Sequence, residues 1–435
     1  TSITVSAADL QALSESSTYT LSANVSDAAG NAATQHSSTT FSVDKTAPTA
    51  VLSSVADNVG SVSGALSDGQ TTDDTAVVIT GTNEAGSTVD VYNGTTKLGA
   101  ATVIGTNWTY EAALSDGTSY ALNAIETDSV GNPSSPTSNF TVIGDTTAPT
   151  ISDVTTSWGS VLNSIEDNSD GTVTIATSGA EDGQTVTVVL NSKSYTGTVS
   201  SNTTSITVSA ADLQALSESS TYTLSADVSD AAGNAATQHS STTFSVDTTA
   251  PTISGVTASW GSVLNSIEDN SNGTVTIATS GAEDGQTVTL VLNSKSYTGT
   301  VSSNTTSITV PAADLQALSE SSTYTLSADV SDAAGNAATQ HSSTTFSVDK
   351  TAPTAVLSSV ADDVGSVVGN LSSGQTTDDT AVVITGTNEA GSTVDVYSGT
   401  TKLGAATVNG TNWTYEATLS DGTSYALNAI ETDAA

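Results

Sequence analysis

The side chains best placed to do chemistry in this chain are acids, and they recur at fixed places. Asp44, Asp145, Asp247 and Asp349 each precede an Ala-Pro-Thr marker whose proline is Pro48, Pro149, Pro251 or Pro353. Further acids collect in stretches that read as loops: Glu166, Asp167 and Asp170 with Asn168, Glu283 with Asp284, and Asp128, Asp230 and Asp332, with Asn336 beside the last. Carboxylate, amide and carbonyl oxygens are the ligands Ca²⁺ takes, about six to eight at a time. Carboxylates gathered without a cation would repel one another. The same residue types also form turns and keep a chain soluble, so both readings stand. Other chemistry has little to work with. His36, His239 and His341 stand singly, one per repeat of one type, with no second His or Cys to build a transition-metal site. No nucleophile elbow or paired-carboxylate cleft is visible, so no enzyme is expected.

Composition narrows the partners. Six lysines, no arginine and 45 acids give a net charge of −39. Such a chain repels nucleic acid and anionic membrane surfaces and attracts cations. Hydrophobic residues make up 36% and fall in strand-like runs, which disorder does not require. There is no cysteine, hence no disulfide, and bound calcium is the expected brace for so acidic a chain. No apolar run is long enough to insert in a membrane.

The elements that position these acids come in repeats. The prolines of the marker lie 101, 102 and 102 residues apart, the size of one small domain rather than of a solenoid unit. Two repeat types alternate irregularly. One occupies 148–249 and 250–351, nearly one sequence, differing at positions such as Asp153/Gly255, Asp170/Asn272, Val188/Leu290 and Ser209/Pro311. The other occupies 47–147 and returns at 352–435, where it ends before its last strand. Residues 1–46 match the back half of the first type, since Thr1–Val5 repeats Thr204–Val208. Both ends are expected to cut through domains of a longer polypeptide.

Within 148–249, apolar residues alternate with Thr and Ser over short runs bounded by Gly, Asn and Asp, the strand pattern. The runs are 150–155, 172–177, 185–190, 194–199, 205–208, 221–228 and 242–246. Seven strands in such a span predict an all-β fold of tandem immunoglobulin-like β-sandwich domains in an extended rod. Ser209 and Asp212 have capping-box spacing, which predicts one helical turn between the fifth and sixth strands. Tyr120 and Tyr222 fall at the start of the sixth strand, where a corner tyrosine bonds back to the chain. Trp108 and Trp158 fit either a core short of large residues or a sugar-stacking platform. Strand direction brings the foot of one repeat to the head of the next. There Asp247 would meet Glu166, Asp167, Asn168 and Asp170 of its own repeat, and Glu283, Asp284, Asp332 and Asn336 of the following one.

Motifs of the second repeat type carry a resemblance: Ile79-Thr-Gly-Thr-Asn-Glu84-Ala-Gly86, Asn107-Trp108-Thr-Tyr, Leu114-Ser-Asp116-Gly117-Thr-Ser-Tyr120 and Thr127-Asp128-Ser-Val-Gly131-Asn132. The first type shares Ser229-Asp230-Ala-Ala-Gly233-Asn234 and the junction Asp247-Thr-Thr-Ala-Pro251-Thr. Together they resemble the bacterial Ig-like extender repeats of giant, type I-secreted surface and biofilm adhesins. The resemblance implies an extracellular stalk on the bacterial cell surface, with Ca²⁺ at domain junctions and a distal domain for adhesion or biofilm formation. Copied loops agree with that, because repeats that each bound a different ligand would differ in their loops. At roughly 40 Å per repeat, four repeat lengths give about 160 Å. Two alternatives are a self-assembling extracellular filament whose neighbouring copies touch laterally, and a carbohydrate-binding module that uses the tryptophans.

Overall fold

The fold is described from a computed structural model that covers residues 1–34, 37–366 and 368–433. His36, Ala434 and Ala435 lie outside the described residues. The chain divides into two compact units, one comprising 1–161 and 166–246, the other 162–165 and 247–435.

In the first unit, the segment 47–147 is a complete two-sheet sandwich. One sheet orders its strands Gly64–Ala65, Val51–Asp57, Ala76–Thr82, Asn107–Ala113 and Thr102–Ile104. The facing sheet runs Gln70–Thr72, Phe140–Gly144, Thr118–Thr127, Thr88–Asn93 and Thr96–Ala100. Alternation of buried and exposed residues along Ala76–Thr82 and Asn107–Ala113 sends Val77, Ile79, Trp108 and Ala112 into the space between them. That alternation is the physical content of the strand pattern, since successive side chains point to opposite faces.

The second unit shows the other repeat type in 250–351. Three strands, Thr252–Ala258, Gly273–Ser280 and Thr305–Val310, face a five-stranded sheet ordered Val263–Leu264, His341–Val348, Thr323–Val330, Thr287–Leu292 and Lys295–Thr300. The seven predicted strands are all present, with one addition. Val263–Leu264 pairs in parallel with the last strand and is too short to show any alternation. The fourth strand hydrogen-bonds to the third and so edges the five-stranded sheet. The predicted helical turn is Ala210–Gln214 in one copy and Ala312–Gln316 in the next. Ser209 caps the first by accepting the Asp212 N–H at 3.3 Å. Pro311, pre-set in extended backbone at the same place, starts the second without a side-chain cap.

The corner tyrosines are where the pattern puts them. Tyr120 and Tyr222 accept the N–H of the residue five positions upstream, Ser115 at 3.0 Å and Ser217 at 2.8 Å. Tyr19, Tyr324 and Tyr425 do the same with Ser14, Ser319 and Ser420. Tyr222 also stacks on Phe244 across the strand pair. Tyr222→Phe is therefore expected to keep the ring packing, lose one hydrogen bond and cost about 1 kcal/mol. Chemical denaturation of the variant checks this, and an unchanged midpoint would remove the corner bond from the account.

The tryptophans settle the alternative use proposed for them. Trp108 and Trp413 are 1% and 0% exposed, and Trp158 and Trp260 are each 4% exposed. Trp158 meets Phe244 edge to face at 5.3 Å. All four fill cores, and none offers a face to a sugar, because each repeat has few other large side chains to occupy its centre. The core reading of the tryptophans holds, and the sugar-platform alternative does not.

Candidate functional site

The chain repeats one small device at its junctions. In the loop Asp128–Asn132, Asp128 Oδ1 accepts the N–H groups of Val130, Gly131 and Asn132 at 2.9, 2.7 and 2.8 Å. Its other oxygen accepts the Asn132 amide at 2.7 Å. Asp230 with Asn234, and Asp332 with Asn336, are tied in the same way. Gly131, Gly233 and Gly335 sit at φ of +103°, +108° and +96°, which explains the glycine one residue before each asparagine.

The asparagine of each loop also reaches the linker that enters its repeat. Asn132, Asn234 and Asn336 donate to the main-chain carbonyls of Asp44, Asp145 and Asp247 at 3.0, 2.8 and 2.9 Å. Each linker carboxylate turns instead to the N–H two residues on, at Thr46, Thr147, Thr249 and Thr351. The preceding repeat contributes as well. Within the second unit, Asn163 donates to the Ala334 carbonyl at 3.0 Å, and the Ser164 N–H donates to Asn336 Oδ1 at 2.7 Å. Asn336 is wholly buried, with its oxygen and both amide hydrogens engaged. Within the first unit, Ser61 Oγ donates to the Gly233 carbonyl at 3.1 Å.

Carboxylates meet around Asp73. Asp57, Asp74 and Asp230 are 3%, 2% and 2% exposed, and Asp73 Oδ1 is buried without a hydrogen-bond partner. Burial raises the Asp73 carboxyl above the usual carboxylate range, and the charges of Asp57, Asp230 and Asp74 push it further in that direction. In the second unit, burial likewise raises Glu389, with Asp433, Asp349 and Glu431 adding to the shift. Glu15, Asp44 and Glu84 line one shallow hollow at the first junction. Among the described residues, no three His, Cys, Asp or Glu side chains are gathered closely enough to hold a metal by themselves. An ion here would have to draw on carbonyl and amide oxygens as well.

Several residues singled out in the sequence have other partners. Asp170 accepts the Ala210 N–H at 2.9 Å and so holds the start of its own repeat's helix. Asn272 does the same for Ala312 at 3.0 Å, which shows that an acceptor is needed there and a charge is not. Asp284 accepts the Ser303 N–H at 2.7 Å in a hairpin turn. Glu283 accepts from Ala333 at 2.8 Å and braces the loop that carries Asp332 and Asn336. Glu166 and Asp167 lie in a short 3₁₀ turn, Glu166–Asn168, beside that helix. The sequence reading passed over Asp57, Asp73 and Asp74 and the bridging asparagines Asn132, Asn163 and Asn234. Their signal was the return of Asp57 and the Asp73-Asp74 pair as Asp362 and Asp378-Asp379 in the second copy.

Family models of bacterial Ig-like domains match the chain at residues 49–146 and, for the group 3 domain, at 106–240 and 209–342. The group 3 matches alone cover more than half of the sequence. The chain belongs to the bacterial Ig-like domain family. A comparison with curated proteins finds no match. Among solved structures, the chain is similar to a 1.5-MDa bacterial ice-binding adhesin, at 26% identity over 63% of this chain and 91% of that one, with a TM-score of 0.34. It is also similar to a Ca²⁺-stabilized adhesin that helps an Antarctic bacterium reach out and bind ice, at 26% identity over 83% and 92%, with a TM-score of 0.36. A third is a tetra-tandem repeat in the extending region of a large adhesion protein, at 18% identity over 83% and 89%, with a TM-score of 0.24. Among the described residues, no helix is long and apolar enough to cross a membrane.

Proposed function

We propose that the chain is a spacer: a run of Ig-like domains within a large bacterial surface adhesin, stiffened by Ca²⁺ and carrying a distal binding domain away from the cell. The observation that carries this reading is the asparagine bridge to the linker carbonyl, repeated at three successive junctions with the same partners. What the chain copies is a way of fixing one domain to the strand that enters it. Extracellular placement and a role in biofilm belong to the same proposal, as do contacts between adjacent repeats.

Calcium fits the junctions on chemical grounds. The donors are oxygens throughout, which suits a hard cation. Asp73 Oδ1 is a buried acceptor without a donor, and its carboxyl is raised by burial and then by the charges of Asp57, Asp230 and Asp74. A cation beside it reverses that preference. Asp145 and Asp230 are the further candidate ligands at that junction. Asp247, Asp332 and Asn336 are the candidates at the next, Asp44 and Asp128 at the first, and Asp349 at the last. Glu166, Asp167, Glu283, Asp170 and Asp284 rank below these, the last two because each is tied within its own repeat, Asp170 at the start of a helix and Asp284 in a hairpin turn.

An ion that binds only the folded chain stabilises it, by about 2.7 kcal/mol at a hundredfold excess over its Kd. Asp247→Ala is expected to leave the adjoining repeats folded, because Asp247 lies in a linker and outside either core. It should also reduce the rise in melting temperature that Ca²⁺ produces. Calorimetry of both chains with Ca²⁺ and with a chelator checks this, and an identical Ca²⁺-dependent rise would remove Asp247 from the site.

A further inference from the structure

Of the differences between the two near-identical repeats, one places a cation in a linker. Position 350, in the linker that follows one repeat, is Lys350, and the corresponding position after the earlier copy is Thr248. In the second unit the Lys350 ammonium is held in a cage of four oxygens. It donates to the carbonyls of Leu315, Gln316 and Leu318 at 3.2, 3.0 and 3.0 Å, at the end of the helix Ala312–Gln316. The fourth oxygen is Asp269 Oδ2 at 3.2 Å, on a side chain only 9% exposed. The carbonyls at a helix C-terminus carry partial negative charge, so they and a buried carboxylate together make a cation site. Lys45 uses the same site in the first 46 residues, donating to the carbonyls of Gln11 and Leu13 at 2.8 and 2.7 Å.

The earlier copy keeps the walls of this cage. Its helix Ala210–Gln214 and the Leu216 that follows it correspond in sequence to Ala312–Gln316 and Leu318, and Asp167 stands where the later copy has Asp269. The 3₁₀ turn is fastened to the helix identically, Gln214 to Asn168 and Gln316 to Asn270, each at 3.0 Å. What differs is position 248, a threonine where the later copy has Lys350. Asp167 Oδ1 is buried and has no hydrogen-bond partner. A carboxylate in that position is costly unless a cation or a donor meets it.

We propose that the oxygen cage of repeat 148–249, formed by Asp167 and the carbonyls of Leu213, Gln214 and Leu216, binds a Ca²⁺ ion in the place that the Lys350 ammonium takes in the next repeat. The donors are all hard oxygens, which suit Ca²⁺ rather than Zn²⁺ or Cu²⁺. Carbonyls that already accommodate an ammonium form a loose set, better matched to Ca²⁺ than to the strict octahedron of Mg²⁺, and water completes the shell. The site lies inside one repeat, uses none of the first-ranked junction ligands proposed above, and assigns Asp167 to the cage instead of the junction. Lysine and ion are then two solutions to one problem, and only the second depends on external Ca²⁺.

Native mass spectrometry of the full chain equilibrated with Ca²⁺ counts bound ions directly. Asp167→Asn is expected to bind one ion fewer than the parent. Lys350→Thr is expected to bind one more, because it empties the ammonium from the cage of Asp269, Leu315, Gln316 and Leu318. If Asp167→Asn loses an ion but Lys350→Thr gains none, Asp167 serves a different site and the cage proposal is overturned. An unchanged count in both variants overturns it as well. Neither variant alters Asp247, so failure here leaves the calorimetric test of the junctions intact.

Discussion

Trp108→Ala is expected to cost repeat 47–147 about 3–5 kcal/mol, the usual penalty for emptying a core of a large aromatic. Trp108 is 1% exposed, packs with Val77, Ile79 and Ala112, and donates its indole N–H to the Thr82 carbonyl at 3.3 Å. Few side chains near it are large enough to collapse into the space. At roughly 4 °C or more per kcal/mol for a domain of this size, the transition of that repeat should fall by more than about 10 °C. Differential scanning calorimetry resolves it as one transition moving away from the others. A variant that melts with the parent chain would show that the indole is not the centre of that core.

Gly81→Ala should cost nearly as much through the opposite fault. Gly81 pairs with Trp108 and Leu52 on the neighbouring strands, and a Cβ at Gly81 would overlap both the Trp108 ring and the Val51 carbonyl. Overpacking of a tight core costs about 1–3 kcal/mol and more when backbone stands in the way. Here one obstacle is backbone, so a change of rotamer does not relieve it. Combining Gly81→Ala with Trp108→Ala should cost less than the sum, because the emptied ring site gives the methyl part of its room. Strict additivity in the calorimeter would mean that the indole is not what the methyl meets.

The legible parts of the fold were those encoded by local pattern. Alternation in runs such as Thr185–Leu190 and Thr221–Val228 placed strands to the residue, and the tyrosine after each corner announced its hydrogen bond. Val263–Leu264 escaped because two residues carry no period, and their pairing with the last strand is set by tertiary structure. The acids were harder to read. An aspartate has the same letter whether it coordinates an ion, caps a helix like Asp170, or closes a turn like Asp230. The asparagine bridges were missed for a related reason. Asn132 looks like a turn residue, and its contact with the Asp44 carbonyl lies far away in sequence. Lys350 showed its role only once the helix carbonyls and Asp269 were seen around it.

The most direct test of the spacer account is small-angle X-ray scattering of the chain with Ca²⁺ and after chelation. The account predicts an elongated particle in Ca²⁺, near the roughly 160 Å expected from four repeats of strand length plus loops. Chelation should shorten its maximum dimension as the acidic junctions bend, while the strand content seen by circular dichroism stays the same. Two results would contradict the account: a compact particle in Ca²⁺, or a scattering profile that does not change when the ion is removed.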